Sequence, residues 1–315
     1  MIDLTLRSAL LTNLADLEPG DRIAVGLSGG ADSVALLRAA LHVGQELSLG
    51  VTALVINHQL QDSSHDAATQ AVVVATALGC QSVVMIPVDV QRGPGSGGLE
   101  SAARNARRSA FEFFAVNNHI KAVLLGHTRD DQAETVLLGL ARGSGARSLS
   151  GMRTVDGLYR RPFLAISREL VRSTVNDLDV YEDPHNSESR FSRVRVREST
   201  LPTLESDLGP GIAEALARTA DMLRDDADAL DSLARSSSSE VVEDLVALLP
   251  AIRHRVLRQL AIDNGANQND LTREHVLLID GLVTGWHGQG PLNLPGSLNC
   301  ERHNGKLLFY KKHKE

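Results

Sequence analysis

A chain of 315 residues is long enough for about two domains, and 43% hydrophobic with 23% charged residues is globular composition, not that of a disordered or fibrous chain. No run of about 18 apolar residues and no charged n-region leading into an apolar h-region is present, so neither a membrane span nor classical secretion is expected. Cys80 and Cys300 stand far apart and outside any C-x-x-C pair, which excludes a disulfide scaffold or a local zinc or iron–sulfur knuckle and suits a reducing cytoplasm. The net charge of -7 argues at first sight against nucleic acid, but it is unevenly spread. Residues 104–197 hold 16 Lys+Arg against 11 Asp+Glu, net +5, while residues 205–250 hold 3 against 11, net -8. Such asymmetry can mark separate surfaces with separate partners.

Through residue 165 the chain alternates apolar, β-branched runs at 22–26, 49–56, 82–86 and 122–125 with stretches of helical length and period at 32–44, 65–78, 99–118 and 129–142. Short continuous runs separated by helices predict repeated β-α-β units, hence an α/β domain with a parallel sheet covered on both faces. Ligands of such open sheets bind beyond the carboxyl ends of the strands, so the chemistry is expected just after those runs. Helices are then expected over 167–178 and 189–201, joined by the polar link 182–186. An acidic helical stretch follows to residue 249, broken at the serine tract 236–239. Helical period returns near 251–262 and 272–283, and short Gly- and Pro-punctuated segments close the chain. A boundary near 208–210 divides an α/β domain over 1–208 from a smaller, mainly helical domain over 209–315 with short C-terminal strands.

The strongest local signal is Ser28-Gly29-Gly30-Ala31-Asp32-Ser33, between the first strand and the first long helix. Two glycines let backbone approach a ligand, the free N–H groups and dipole of the helix start form an anion site, and Ser28 and Ser33 add hydroxyl donors. The carboxylate of Asp32 would repel a bare phosphate, so it is expected to face a magnesium ion carried by that phosphate. The Lys of a Walker A loop is missing, so this is not that nucleotide site.

Ser-Gly-Gly-x-Asp-Ser after a first strand resembles the pyrophosphate loop of the N-type ATP pyrophosphatases (the PP-loop superfamily). These enzymes cleave ATP between the α- and β-phosphates and adenylate a carbonyl oxygen. A second segment, Leu125-Gly126-His127-Thr128-Arg129-Asp130-Asp131-Gln132-Ala133-Glu134-Thr135, resembles a motif shared by the tRNA(Ile)-lysidine synthases and one branch of tRNA thiolases. Its continuation through Arg142-Gly143-Ser144-Gly145 and Leu149-Ser150-Gly151-Met152 is similar to the lysidine synthases specifically. So are Arg161-Pro162-Phe163, Ser167-Arg168 and the Asp183-x-x-Asn186 stretch. The thiolases typically need a cysteine pair that this chain lacks.

The resemblance implies an ATP-dependent carbon–nitrogen ligase acting on the wobble cytidine of a tRNA(Ile) with a CAU anticodon, with ATP and Mg2+, free L-lysine as second substrate, no membrane partner and room for a homodimer. ATP would be held by Ser28, Gly29, Gly30, Ala31, Asp32 and Ser33 with His58, Gly126 and His127. Asp131 and Glu134, three apart, share a helical face; two such carboxylates can share magnesium or hold an ammonium group. Asp131 also fits a capping box with Thr128. Asp32 and Asp131 are assigned to magnesium, and Glu134 and Arg142 to lysine or phosphate. Arg104 matches a family arginine able to meet phosphate or substrate, while Arg107 and Arg108 are expected on a solvated face. Arg190, Arg193 and Arg197 share a face at helical spacing and are expected to contact tRNA or phosphate. Gly93-Pro94-Gly95-Ser96-Gly97-Gly98 satisfies G-x-G-x-x-G formally but follows the third strand and is read as a loop.

Overall fold

Arg22–Leu27 (β1) buries Ile23, Ala24 and Val25 completely, as a strand must when both edges are hydrogen-bonded and both faces covered. The structure, a computed structural model, describes residues 2–57, 62–89, 99–143, 145–181, 188 and 190–311, without the side chains of 62–65 and 99–101. His58, the G-x-G-x-x-G segment and the Asp183-x-x-Asn186 stretch lie outside the described residues.

Leu4–Asn13 (α1) precedes β1, and Ala31–Glu46 (α2), Gly50–Asn57 (β2), Asp62–Ala77 (α3), Ser82–Pro87 (β3), Leu99–Asn117 (α4), Ile120–Leu124 (β4) and Arg129–Ala141 (α5) follow it. The expected α/β alternation is therefore present. β1 pairs in parallel with β2 on one side and β4 on the other, and β2 with β3. The sheet order is β3-β2-β1-β4-β6-β5. β6 (Tyr159–Arg160) runs parallel to β4 and forms an antiparallel hairpin with β5 (Val155–Asp156). Sequence reading missed that hairpin because two-residue strands carry no period. Chain order reverses at β1, so the loops after β1 and β4 flank the switch point where open sheets bind ligands.

Between them, Ala146–Leu149 (α6) leads to Met152, whose N–H donates to Gln132 Oε1 (2.8 Å) and whose carbonyl accepts from Gln132 Nε2 (3.0 Å). The Leu149–Met152 resemblance thus has a structural purpose, docking this loop on α5. Arg168–Ser173 (α7) starts from an N-cap at Ser167 and is shorter than the expected 167–178. Ser192–Arg195 (α8), a π-helical turn Val196–Thr200 and Leu201–Leu208 (α9) form one continuous rod. Leu201 N–H donates five residues back to Val196, and Pro202 supplies the reason: it lacks an N–H and its ring crowds the carbonyl four residues earlier.

The chain divides into compact units at 1–221 and 222–315, a division that falls inside the long helix Ile212–Ser236 (α10). The second unit packs Val242–Ala247 (α11), Pro250–Asp263 (α12) and Arg273–Thr284 (α13) with the antiparallel sheet β7 (Leu292–Leu294), β8 (Leu298–His303) and β9 (Lys306–Lys311). Leu245, Leu257, Ile279, Leu282, Cys300 and Leu307 form its core. Among the described residues, no helix is long and apolar enough to cross a membrane.

Candidate active site

The loop after β1 is built around its two glycines and its second serine. Gly29 takes φ +88°, a conformation that a side chain would strain. Gly30 is the N-cap of α2, so no side chain fills the seat in front of the helix N-terminus. Ser33 Oγ accepts from Ser28 N–H (3.1 Å) and donates to the Gly30 carbonyl (2.8 Å), with Ser28 Oγ 3.1 Å away. The loop is tied to itself before any ligand arrives.

The loop after β4 closes on it. A Cβ at Gly126 would lie 2.9 Å from the Asp32 carbonyl oxygen and 3.2 Å from Ser33 Cα, so only glycine lets the two loops approach this closely. Gly126→Ala is expected to cost about 1–3 kcal/mol of stability through overpacking against rigid backbone. Thermal melting with an ATP titration checks this, and ATP affinity should fall with the stability. His127 follows; burial pushes its imidazole down to about 3, so the ring is neutral, and its Nδ1 is buried without a partner among the described residues. A cleft of about 270 Å³ opens beside these loops, lined by Ser28, Val55, Ile56, Ala67, Arg107 and Phe111 among others.

Thr128 and Asp131 cap α5: the Asp131 Oδ2 accepts from Thr128 N–H (2.8 Å) and Oγ1–H (2.9 Å). The cap is locked to α7, because Arg129 N–H donates to the Ile166 carbonyl and Asp130 accepts from Arg168 N–H at 2.8 Å. Arg168 therefore emerges over the carboxylates. Its Nη2 donates to Asp131 Oδ1 (3.0 Å) and Glu134 Oε1 (2.9 Å), and its Nε lies 3.8 Å from Asp32 Oδ2. Arg193 Nε donates to Glu134 Oε2 (2.8 Å). Arg197 donates Nε to Glu134 Oε1 (2.7 Å) and Nη2 to Asp131 Oδ1 (3.3 Å). Arg172 reaches Asp32 with Nε at 3.0 Å and Nη2 at 3.3 Å.

Three carboxylates and four guanidiniums thus form one network. Burial pushes the Glu134 and Asp131 carboxyls up, but the Arg197 hydrogen bond on the first and the Arg168 charge on the second, with their neighbours, hold both below the usual carboxylate range. Burial likewise lowers Arg168, and Asp131 and Glu134 more than offset it.

Of the residues expected at the site, the structure brings together Ser28 to Ser33, Gly126, His127, Asp131, Glu134, Arg193 and Arg197. Arg142 is not among them: it caps the far end of α5, exposed, with Nε on the Leu138 carbonyl, roughly 16 Å along the helix from Asp131. Arg190 precedes the helix that begins at Ser192, so it does not share a face with Arg193 and Arg197; it pairs with Glu188 and stacks on Phe191 at 4.8 Å. Arg193 and Arg197 turn inward onto Glu134. Arg104 is exposed on α4.

The sequence reading gave no role to Arg168 or Arg172. Their signal was available, since positions four apart on α7 share a face. A magnesium ion fits Asp32, whose side chain is 22% exposed at the first turn of α2 beside the anion seat. It fits Asp131 less well: Arg172 reaches both Asp32 oxygens from an exposed position, whereas Asp131 is buried and its Oδ2 is committed to the Thr128 cap.

A parallel sheet carrying a glycine-capped loop after β1, clasped by the loop after β4, defines a PP-loop domain, and residues 4–204 match the PP-loop domain family. Residues 241–308 match the TilS substrate binding domain. Proteins named tRNA(Ile)-lysidine synthase from Streptomyces coelicolor and Thermobifida fusca are 46% and 45% identical, over 91% and 96% of this chain and 84% and 96% of their own lengths. One from Leifsonia xyli is 45% identical over 93% of this chain and 91% of its own. The chain belongs to the tRNA(Ile)-lysidine synthase family. Among solved structures, the U34-tRNA thiolase NcsA from Methanococcus maripaludis with its 4Fe-4S cluster superposes with a TM-score of 0.57 over 69% of this chain and 78% of that one; at 17% identity the likeness is one of fold.

Proposed function

We propose that this chain is an ATP-dependent ligase that converts the wobble cytidine of tRNA(Ile) with a CAU anticodon to lysidine. In the first step the cytidine O2 attacks the α-phosphorus of ATP; the bond from that phosphorus to the bridging oxygen breaks and pyrophosphate leaves. In the second, the ε-amine of free lysine attacks C2; the C2–O2 bond breaks, AMP departs with that oxygen and the nitrogen loses a proton. The observation that carries this reading is the helix N-terminus of α2, left open by its Gly30 cap and bordered by Asp32.

The chain's residues are suited to each demand. Backbone N–H groups and the Ser28 hydroxyl can stabilise the departing pyrophosphate, with Ser33 holding the loop in shape, and Asp32 would hold Mg2+, which supplies charge neutralisation on the phosphates. Asp131 and Glu134, saturated by Arg168, Arg193 and Arg197, position those guanidiniums at the site instead of offering a free base. Transfer of sulfur finds no support. The first unit has a single cysteine, Cys80, which is buried with its Sγ 3.2 Å from the Ser82 carbonyl. Burial pushes the Cys300 thiol in the second unit up to about 12. Two buried free thiols suit a reducing cytoplasm.

Purified protein with ATP, magnesium, labelled lysine and candidate tRNAs tests the reading. Lysine should enter the CAU-anticodon tRNA(Ile) with equal release of AMP and pyrophosphate. A folded protein that incorporates no lysine into any tRNA would sink it.

A further inference from the structure

Helix α4 carries three arginines, and one of them departs from the solvated face expected for it. Arg108 is held by Glu112 at 2.9 Å and lies over the Tyr159 ring, and Arg104 is exposed. Arg107 instead lines the cleft, with Gly26, Ser28, Ile56 and Phe111. Burial pushes its guanidinium down from the ordinary value, and the neighbouring charges of Arg104 and Arg193 push it the same way. Among the described residues, no hydrogen bond or ion pair reaches Arg107. By contrast, Arg160 is clamped by Asp16, and Arg168 by Glu134 and Asp131.

Arg107 is half-buried, and a guanidinium partly withdrawn from water without a counter-charge costs the fold stability that a bound anion would restore. An independent observation lies alongside. His127, whose Nδ1 is buried and unpartnered, is neutral and within electrostatic reach of Arg107, Arg161 and Arg193. An unpaired guanidinium at the cleft and an unpartnered imidazole nitrogen on the loop after β4 thus lie within electrostatic reach of one another. The missing component is an anion whose oxygens match a planar fork of N–H groups, which is the chemistry of a phosphate. Two sources carry one, a nucleotide and an RNA backbone. Arg107 shares its cleft with Ser28 of the anion loop, and the other walls, Val55, Ile56, Ala67 and Phe111, offer a base an apolar seat.

We propose that Arg107 binds a phosphate of the nucleotide held in this cleft, supplying a counter-charge that the fold leaves unpaired for it. The assignment rests on the ATP reading of the site. Arg107→Met and Arg107→Lys, made in the full chain, test it through titrations with ATP, AMP and adenosine in magnesium, ligand-free melting and tRNA binding.

Arg107→Met should weaken ATP and AMP at least about tenfold and leave adenosine within about twofold, with Arg107→Lys between the variant and wild type. Its ligand-free melting temperature should equal or exceed that of wild type, which no structural role would produce. Unchanged ATP and AMP affinity overturns the assignment, as does an equal loss for adenosine. Weakened tRNA binding with ATP binding intact assigns the phosphate to RNA and overturns it too. A ligand-free melting temperature several degrees below wild type makes Arg107 a structural residue. Wild-type protein that binds no ATP overturns the ATP reading along with this one, whereas equal binding by wild type and variant overturns this one alone.

Discussion

Glu134→Ala is expected to lower the melting temperature of the first unit by roughly 10 °C or more and to abolish lysine incorporation. Glu134 is wholly buried and accepts from Arg168, Arg193 and Arg197 at 2.9, 2.8 and 2.7 Å. Removing one partner of a buried ionic cluster costs about 3–5 kcal/mol, because the remaining charges stay desolvated and here also repel one another. At about 2–4 °C per kcal/mol for a unit of this size, the shift is easily read by calorimetry. Glu134→Gln keeps the shape and two acceptor lone pairs and should recover part of the stability but not the charge balance. A variant melting within a degree or two of wild type would remove Glu134 as the centre of the network.

Acid should expose the same cluster. Asp131 and Glu134 are both held below the usual carboxylate range, so the unfolded chain takes up protons first as pH falls. Their contribution is complete above about pH 5 and is lost as pH drops through about 4 toward the lower folded values. In Glu134→Ala the melting temperature should consequently fall less steeply between about pH 5 and 4 than in wild type.

Asp32→Asn is expected to do the opposite: a folded protein without chemistry. Asp32 pairs with Arg172, which is 48% exposed, and solvent screening limits such a pair to about 0–1 kcal/mol, so melting should barely change. The amide removes the anionic oxygens offered to magnesium at the mouth of the anion seat. AMP and pyrophosphate formation should fall by at least about 100-fold, the scale of losing one preorganised electrostatic partner of a transition state. Retained AMP formation would take Asp32 out of the metal site, and a large melting shift would make it structural instead.

Much of this was legible in the linear order of residues. The apolar β-branched runs became β1 to β4 within one or two residues, because a strand buried on both faces has no choice but a continuous apolar run. Ser28 to Ser33 could be read as an anion loop, since its meaning lies in local backbone freedom and the start of a helix. The Thr128 to Asp131 cap is likewise local and formed as expected. Less visible were features made by elements distant in sequence. The two-residue strands β5 and β6 exist only because the edge of β4 is there to pair with. The π turn at 196–200 follows from Pro202 but left the chain helical, so periodicity alone could not show it.

The arginines show where sequence alone stops. Their types and their helical spacing were plain, and spacing determines which side chains share a face. It does not determine what that face meets. Arg193 and Arg197, expected to contact phosphate or tRNA, turn onto a glutamate 59 and 63 positions away. Arg107, read as solvated, lines the cleft beside the loop after β1. Arg142, carried by a matching motif, caps the end of α5 opposite the carboxylates. The sequence by itself determined the fold class, the anion loop and the family, because these follow from period, local conformation and shared motifs. Only the tertiary structure decided which charges pair and which are left open, because the partner of a buried charge is chosen by the packing of whole helices.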